Sequence, residues 1–113
     1  MLFVKGPGKA GQAWHQDEYY IPTRDKSLTG VWIAIDDASI ENGCLWIIPG
    51  RPGYMMRRVS NDCDEYADVD TIDVSASGPD GPLPVEVKKG AVVFFDGYTL
   101  HSSKRNKTAD CFR

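Results

Sequence analysis

A chain of 113 residues, 42% hydrophobic and 26% charged, fits one globular domain with a modest core. A formal net charge of −3, with basic pairs no longer than Arg57-Arg58 and Lys104-Arg105, gives no reason to expect a nucleic-acid partner, and no apolar run longer than VWIAI or AVVFF exists to span a membrane. Three cysteines at no metal-like spacing (Cys44, Cys63, Cys111) argue against a disulfide framework and for a reducing, cytoplasmic setting; the segment MLFVKGPGKAG carries no signal-peptide core.

In chain order, GPGKAG at 6–11 matches a glycine-rich nucleotide fingerprint, but a β-period segment follows it where a crossover helix would be needed, so it reads as a turn. Alternation of period two and β-branched or aromatic enrichment predict strands near 12–19, 29–36, 43–48, 85–88, 91–96 and 98–103. ENG at 41–43 predicts a hairpin between two apolar runs, and Asp36 and Asp37 just before it suit a turn. PGRPG at 49–53, GPDGPLP at 78–84 and KKG at 88–90 are loops, the acidic stretch 60–70 reads as exposed, and 60–84 as a loop insert within the single domain. VWIAI and AVVFF, nearly continuous in apolar character, are expected as central strands covered on both faces. Many short strands with Gly and Pro turns give an all-β sandwich or jelly-roll barrel.

The chemistry concentrates in WHQDEYY, residues 14–20. On a strand, positions i and i+2 share a face about 6–7 Å apart, so His15 and Asp17 can converge on one ion. The chain has one other histidine, His101, on a distant strand. Two imidazoles and one carboxylate with open positions beside them suit non-haem Fe(II) and oxygen; an open three-ligand set also suits a zinc hydrolase. Ligating atoms about 3–3.5 Å apart are required, taking metal bonds of roughly 2.0–2.2 Å. The plain alternative pairs Asp17 with Arg24, leaves His15 on a strand surface and has His101 capping a turn.

AWHQDEYYIPTRD, TGVWIAIDDASIENGCLWIIPG and GAVVFFDGYTLHSSKRN, ending in Thr108 and Arg113, together resemble the phytanoyl-CoA dioxygenase family of Fe(II)/2-oxoglutarate oxygenases, over about Gln12 to Arg113. The resemblance implies a double-stranded β-helix (jelly roll, cupin-like), incomplete at both ends, with His15, Asp17 and His101 as iron ligands. It further implies that Arg113 binds the distal carboxylate of 2-oxoglutarate, the Ser103 hydroxyl shares that carboxylate, and Trp32 lies beside the cosubstrate; a buried core aromatic is the other reading of Trp32. The activity implied is hydroxylation of a small organic substrate by O2 with release of succinate and CO2; an aspartate at position 17 favours this over halogenation. Alternatives are a non-catalytic β-domain and a cupin-like metal hydrolase that needs neither Arg113 nor Ser103. Tyr19, Tyr20 and Gln12 are candidates for bordering the substrate pocket. NKT at 106–108 is a glycosylation sequon only in a secreted protein.

Overall fold

The computed structural model describes residues 2–50, 58–60, 63–68, 70–75 and 80–113. Among these residues eight short strands and one helical turn run in the order β1 (Gln12–His15), α1 (Asp17–Tyr20), β2 (Thr29–Ile33), β3 (Leu45–Ile47), β4 (Arg58–Ser60), β5 (Asp70–Ile72), β6 (Leu83–Val85), β7 (Val92–Asp96) and β8 (His101–Ser103). They form a four-stranded antiparallel sheet of order β1-β8-β3-β6 and two pairs, β2-β7 and β4-β5. Most neighbours are distant in sequence, as in a barrel closed by strands that alternate between sheets. Among the described residues no helix is long and apolar enough to cross a membrane.

The core is small. Trp14, Ile48, Ile72 and Leu100 pack together, all buried, with Trp46 and Val74 against them. Ile72 comes from the stretch expected as a loop insert, and that stretch is stitched to β1 as well: Ala13 N donates to Asp68 at 2.7 Å, Trp14 N to Thr71 Oγ1 at 3.1 Å, and Gly11 N to the Glu65 carbonyl at 2.8 Å. The Asp68 carboxylate, the Thr71 hydroxyl and the Glu65 backbone carbonyl therefore serve as acceptors along the edge of β1, which would otherwise present unpaired N–H groups.

Several sequence expectations change in the structure. ENG at 41–43 does not close a hairpin, because β2 pairs with β7 while β3 pairs with β8 and β6. It carries the chain from one sheet to another, with Gly43 at φ +82° and so close to β8 that a Cβ would lie 2.4 Å from the Lys104 carbonyl oxygen. The runs VWIAI and AVVFF are not covered on both faces: Val31, Ile33, Val92 and Phe94 are exposed, and only the alternate positions face the molecule. Strand 85–88 begins earlier, at Leu83, and Val87 makes only an isolated bridge to Ala38. The loop expected at 49–53 lies partly outside the described residues, as do parts of 60–70 and 78–84.

GPGKAG ends in a close approach. A Cβ on Gly11 would sit 1.7 Å from the Ser103 carbonyl oxygen, so the glycine admits β8 rather than a phosphate. Of the cysteines, Cys44 is buried and Cys63 and Cys111 are exposed, and none of the three forms a disulfide.

Candidate functional site

β1 and β8 run antiparallel with His15 directly opposite His101 and Gln12 opposite Ser103. Three steps on β1 face two on β8, so the ladder is irregular between Gln12 and His15, as at a bulge that re-aims a side chain. The strand expected to 19 stops at His15, and Asp17 opens the turn α1. Two anchors cause the stop: the buried Gln16 side chain donates to the Tyr98 carbonyl at 2.8 Å, and Glu18 N donates to the Gly97 carbonyl at 3.0 Å. Gln16 itself keeps extended backbone angles, φ −123° and ψ 128°, so His15 and Asp17 retain the strand relation that points both side chains one way.

The three side chains meet. Asp17 Oδ1 lies 3.4 Å from His15 Nε2 and 3.6 Å from His101 Nε2, and all three ligand atoms fall within 4.8 Å of one another, somewhat wider than the 3–3.5 Å asked of a closed set. Both histidines are 5% exposed. His15 Nδ1 donates to the Ala13 carbonyl at 2.7 Å and His101 Nδ1 to the Thr99 carbonyl at 2.9 Å. A carbonyl can only accept, so each ring carries its proton on Nδ1 and presents the Nε2 lone pair to the common centre, the orientation a metal ligand needs. The pairing of Asp17 with Arg24 is not what forms; its ionic neighbours are the two imidazoles.

Electrostatics favour the same states. Burial, reinforced by the neighbouring His15, pulls His101 down to about 4, so it is neutral near pH 7. The polar contact with His15 lowers the Asp17 carboxyl from its usual range, against the opposing effect of burial. A carboxylate flanked by two imidazole Nε2 atoms is a donor set for a divalent cation.

Glu18, missed in the sequence, secures this corner. Buried at 1% exposure, it accepts from Thr23 N and Thr23 Oγ1, both at 2.7 Å, and from Leu28 N at 3.3 Å. Those bonds, from the Thr23 side chain first, lower its carboxyl and fold the 21–28 loop under α1. Phe95 faces His101 with ring centroids 4.7 Å apart.

Two residues along β8 a second feature begins. Ser103, on the same face as His101, is buried, and its Oγ accepts from Gln12 N at 3.2 Å and from Lys5 Nζ at 2.8 Å. Arg113 stands close by, its backbone paired with that of Lys5: Lys5 N donates to the Arg113 carbonyl at 2.8 Å and Arg113 N to the Lys5 carbonyl at 3.2 Å. The Arg113 guanidinium lies over the Trp32 ring, 5.5 Å from its centroid. Its Nε and Nη1 are buried without any hydrogen-bond partner among the described residues, and burial lowers its pKa. Unpartnered guanidinium nitrogens are costly, and the shape they present fits a carboxylate. Trp32 is therefore half-buried beside this arginine, not sealed in the core.

Asn106 fixes the segment that carries Arg113. Fully buried, it donates to the Lys5 carbonyl at 3.0 Å and the Cys111 carbonyl at 2.8 Å, and accepts from Thr108 N and Thr108 Oγ1. A side chain so used cannot carry a glycan. Lys5 was not singled out in the sequence; a lone lysine closing the apolar run MLFV is the only sign of it. A cleft of about 110 Å³ opens beside His15, lined by Gln12, Tyr20, Asp68 and Asp70 among others, and Tyr19 does not reach it.

The whole chain, residues 1–113, matches the sequence pattern of the family described as phytanoyl-CoA dioxygenase (PhyH). The chain belongs to the phytanoyl-CoA dioxygenase family. It is 36% identical over 111 residues to phytanoyl-CoA dioxygenase 1 of Oryza sativa subsp. japonica, covering 94% of this chain and 38% of that protein. It is 36% identical over 118 residues to phytanoyl-CoA dioxygenase domain-containing protein 1 of Danio rerio, covering 100% and 40%. The chain thus spans about two-fifths of the length of these relatives. Among solved structures it is similar to EvdO2 from Micromonospora carbonacea var. aurantiaca complexed with 2-oxoglutarate, with TM-score 0.71 at 25% identity over 96% of this chain and 44% of that one. The non-heme alpha ketoglutarate dependent carbocyclase SnoK from nogalamycin biosynthesis gives 0.69 at 28%, over 97% and 43%. The fold of this phytanoyl-CoA dioxygenase family member is accordingly the double-stranded β-helix type, jelly-roll and cupin-like.

Proposed function

We propose that the chain is the metal- and cosubstrate-binding core of an Fe(II)/2-oxoglutarate-dependent dioxygenase that hydroxylates a small organic substrate and releases succinate and CO2. The observation that carries this is the meeting of His15, Asp17 and His101, with Ser103 the next same-face residue after His101 on β8 and joined through Lys5 to Arg113, whose buried guanidinium nitrogens Nε and Nη1 have no partner among the described residues. Alternate residues on a strand lie about 6–7 Å apart, a span that a five-carbon dicarboxylate bridges from metal to guanidinium.

In this reading His15 and His101 hold the ion through Nε2, and Asp17 supplies a negative charge and an oxygen ligand. Bound Fe(II) supplies the redox chemistry that couples decarboxylation of 2-oxoglutarate to oxidation of a C–H bond by O2. Arg113 and Ser103 take the distal carboxylate, and Trp32 walls that end. Phe95 packs on the His101 ring and keeps water from its outer face. The cleft beside His15, bordered by Gln12 and Tyr20, is the side from which the organic substrate approaches. The chemistry of Arg113 and Ser103 separates this reading from a metal hydrolase, which has no use for a buried carboxylate site.

The test is succinate formation. Protein supplied with Fe(II), 2-oxoglutarate and O2 should release succinate, uncoupled from substrate if need be, and Asp17→Ala should abolish it. Binding of metal with hydrolytic turnover and no 2-oxoglutarate consumption would point to the hydrolase instead.

A further inference from the structure

Lys5 is 8% exposed, and each of its three ammonium hydrogens is committed: to Ser103 Oγ at 2.8 Å, to the Lys104 carbonyl at 2.7 Å and to the Gly43 carbonyl at 3.2 Å. All three acceptors are neutral. Among the described residues no carboxylate lies within ion-pair distance of Lys5 or of Arg113, so two cations share one buried corner without a counter-charge. Such a corner is stable only if an anion completes it or a proton leaves.

The hydroxyl of Ser103 shows where the anion would sit. Its oxygen accepts from both Gln12 N and Lys5 Nζ, which fills its two lone pairs and leaves the O–H as a donor with no acceptor among the described residues. That geometry holds only for the charged lysine. A neutral amine has two hydrogens, and the carbonyls of Gly43 and Lys104 can only accept, so both hydrogens go to them. The amine lone pair then faces Ser103, whose hydroxyl turns toward Lys5 and away from any ligand. We propose that Lys5 is a positioning residue for the distal carboxylate of the cosubstrate, its charged form aiming the Ser103 hydroxyl at the carboxylate and adding a second positive charge beside Arg113. This rests on the 2-oxoglutarate reading above and extends it to a residue outside the ligand set.

The surroundings set the resting state of Lys5. Burial above all, then the charge of Arg113 and that of Lys9, bring it down to about 7, with Cys44 acting the other way. A carboxylate arriving between Arg113 and Ser103 reverses the balance, so cosubstrate binding and proton uptake are coupled.

Calorimetric titration of the anaerobic Fe(II) protein with 2-oxoglutarate, in buffers of different ionisation enthalpy, reads the uptake directly. The bound metal keeps both histidines unprotonated, leaving Lys5 as the acceptor. At about pH 8 the wild type should take up about nine-tenths of a proton per ligand, falling toward none near pH 6. Lys5→Met should show no uptake and bind 2-oxoglutarate roughly tenfold or more weakly near pH 6, with Fe(II) binding unchanged. Binding by the wild type without uptake at about pH 8 overturns the inference, and that measurement stands even if Lys5→Met fails to fold. Uptake that persists in Lys5→Met overturns it too. No binding of 2-oxoglutarate by the wild type removes the cosubstrate reading itself, and this inference with it.

Discussion

Acidifying the metal-free protein should weaken it through His101. In the unfolded chain a histidine takes its proton near 6.5, while in the fold this one resists until about 4 because charging it would strand a cation in a buried site beside His15. Between those values the unfolded state binds more protons, so stability rises with pH: the contribution is complete above about 6.5 and is lost as pH falls toward about 4. At about 1.4 kcal/mol per pH unit the drop from 6.5 to about 4 comes to about 3 kcal/mol, a large share of the 5–15 kcal/mol typical of a domain. Chelator-treated protein unfolded in urea at a series of pH values from about 7.5 to about 4.5 should show the midpoint falling steadily. Asp17 and Glu18, both held below ordinary values of 3.8 and 4.5, cost stability only at lower pH, and Lys5, brought down to about 7, acts only above about 6.5, so the stretch from there down to about 4.5 belongs to the histidine. His101→Gln, neutral at every pH, should flatten its share of the slope. A midpoint that does not move over this range, or a slope undiminished in His101→Gln, would mean that His101 is not the buried group that takes up the proton.

Leu100→Ala empties the centre of the core, where Leu100 is 0% exposed against Trp14, Ile48 and Ile72, and should cost about 2–5 kcal/mol by urea unfolding; a loss under about 1 kcal/mol would mean that the cluster is not load-sharing. Arg113→Lys keeps the charge but not the planar fork, and should raise the KM for 2-oxoglutarate by about tenfold or more while iron content stays the same, because a hydrogen bond to a charged group contributes about 1.5–3 kcal/mol. An unchanged KM would remove Arg113 from the cosubstrate site.

Much of the site was legible because its residues are chemically scarce. Two histidines in the whole chain, one of them two residues from an aspartate, leave little choice of partners, and the period-two pattern put His101 and Ser103 on one face. What the pattern could not show is where hydrogen bonding ends: Gln16 looks like one more strand residue, yet its side chain is spent on the Tyr98 carbonyl and the chain turns at Asp17. Nor can local pattern choose strand partners, since ENG is equally good chemistry for a hairpin and for a step between sheets. Continuous apolar runs suggested two covered faces, while β2 and β7 leave Phe94 69% exposed. Lys5 and Glu18 escaped notice for a common reason: a charged residue reads as surface until its neutral or hydroxyl partners, nearly a hundred residues away for Lys5, are brought beside it.

The oxygenase reading requires one metal ion between His15, Asp17 and His101. Anaerobic loading with Fe(II), desalting, and X-ray absorption at the iron edge measure both content and ligands. A single equivalent of six-coordinate iron with imidazole scattering, lost in Asp17→Ala and in His101→Ala, is the expected result. Iron retained equally by the wild type and by His101→Ala, or held by neither, would contradict it.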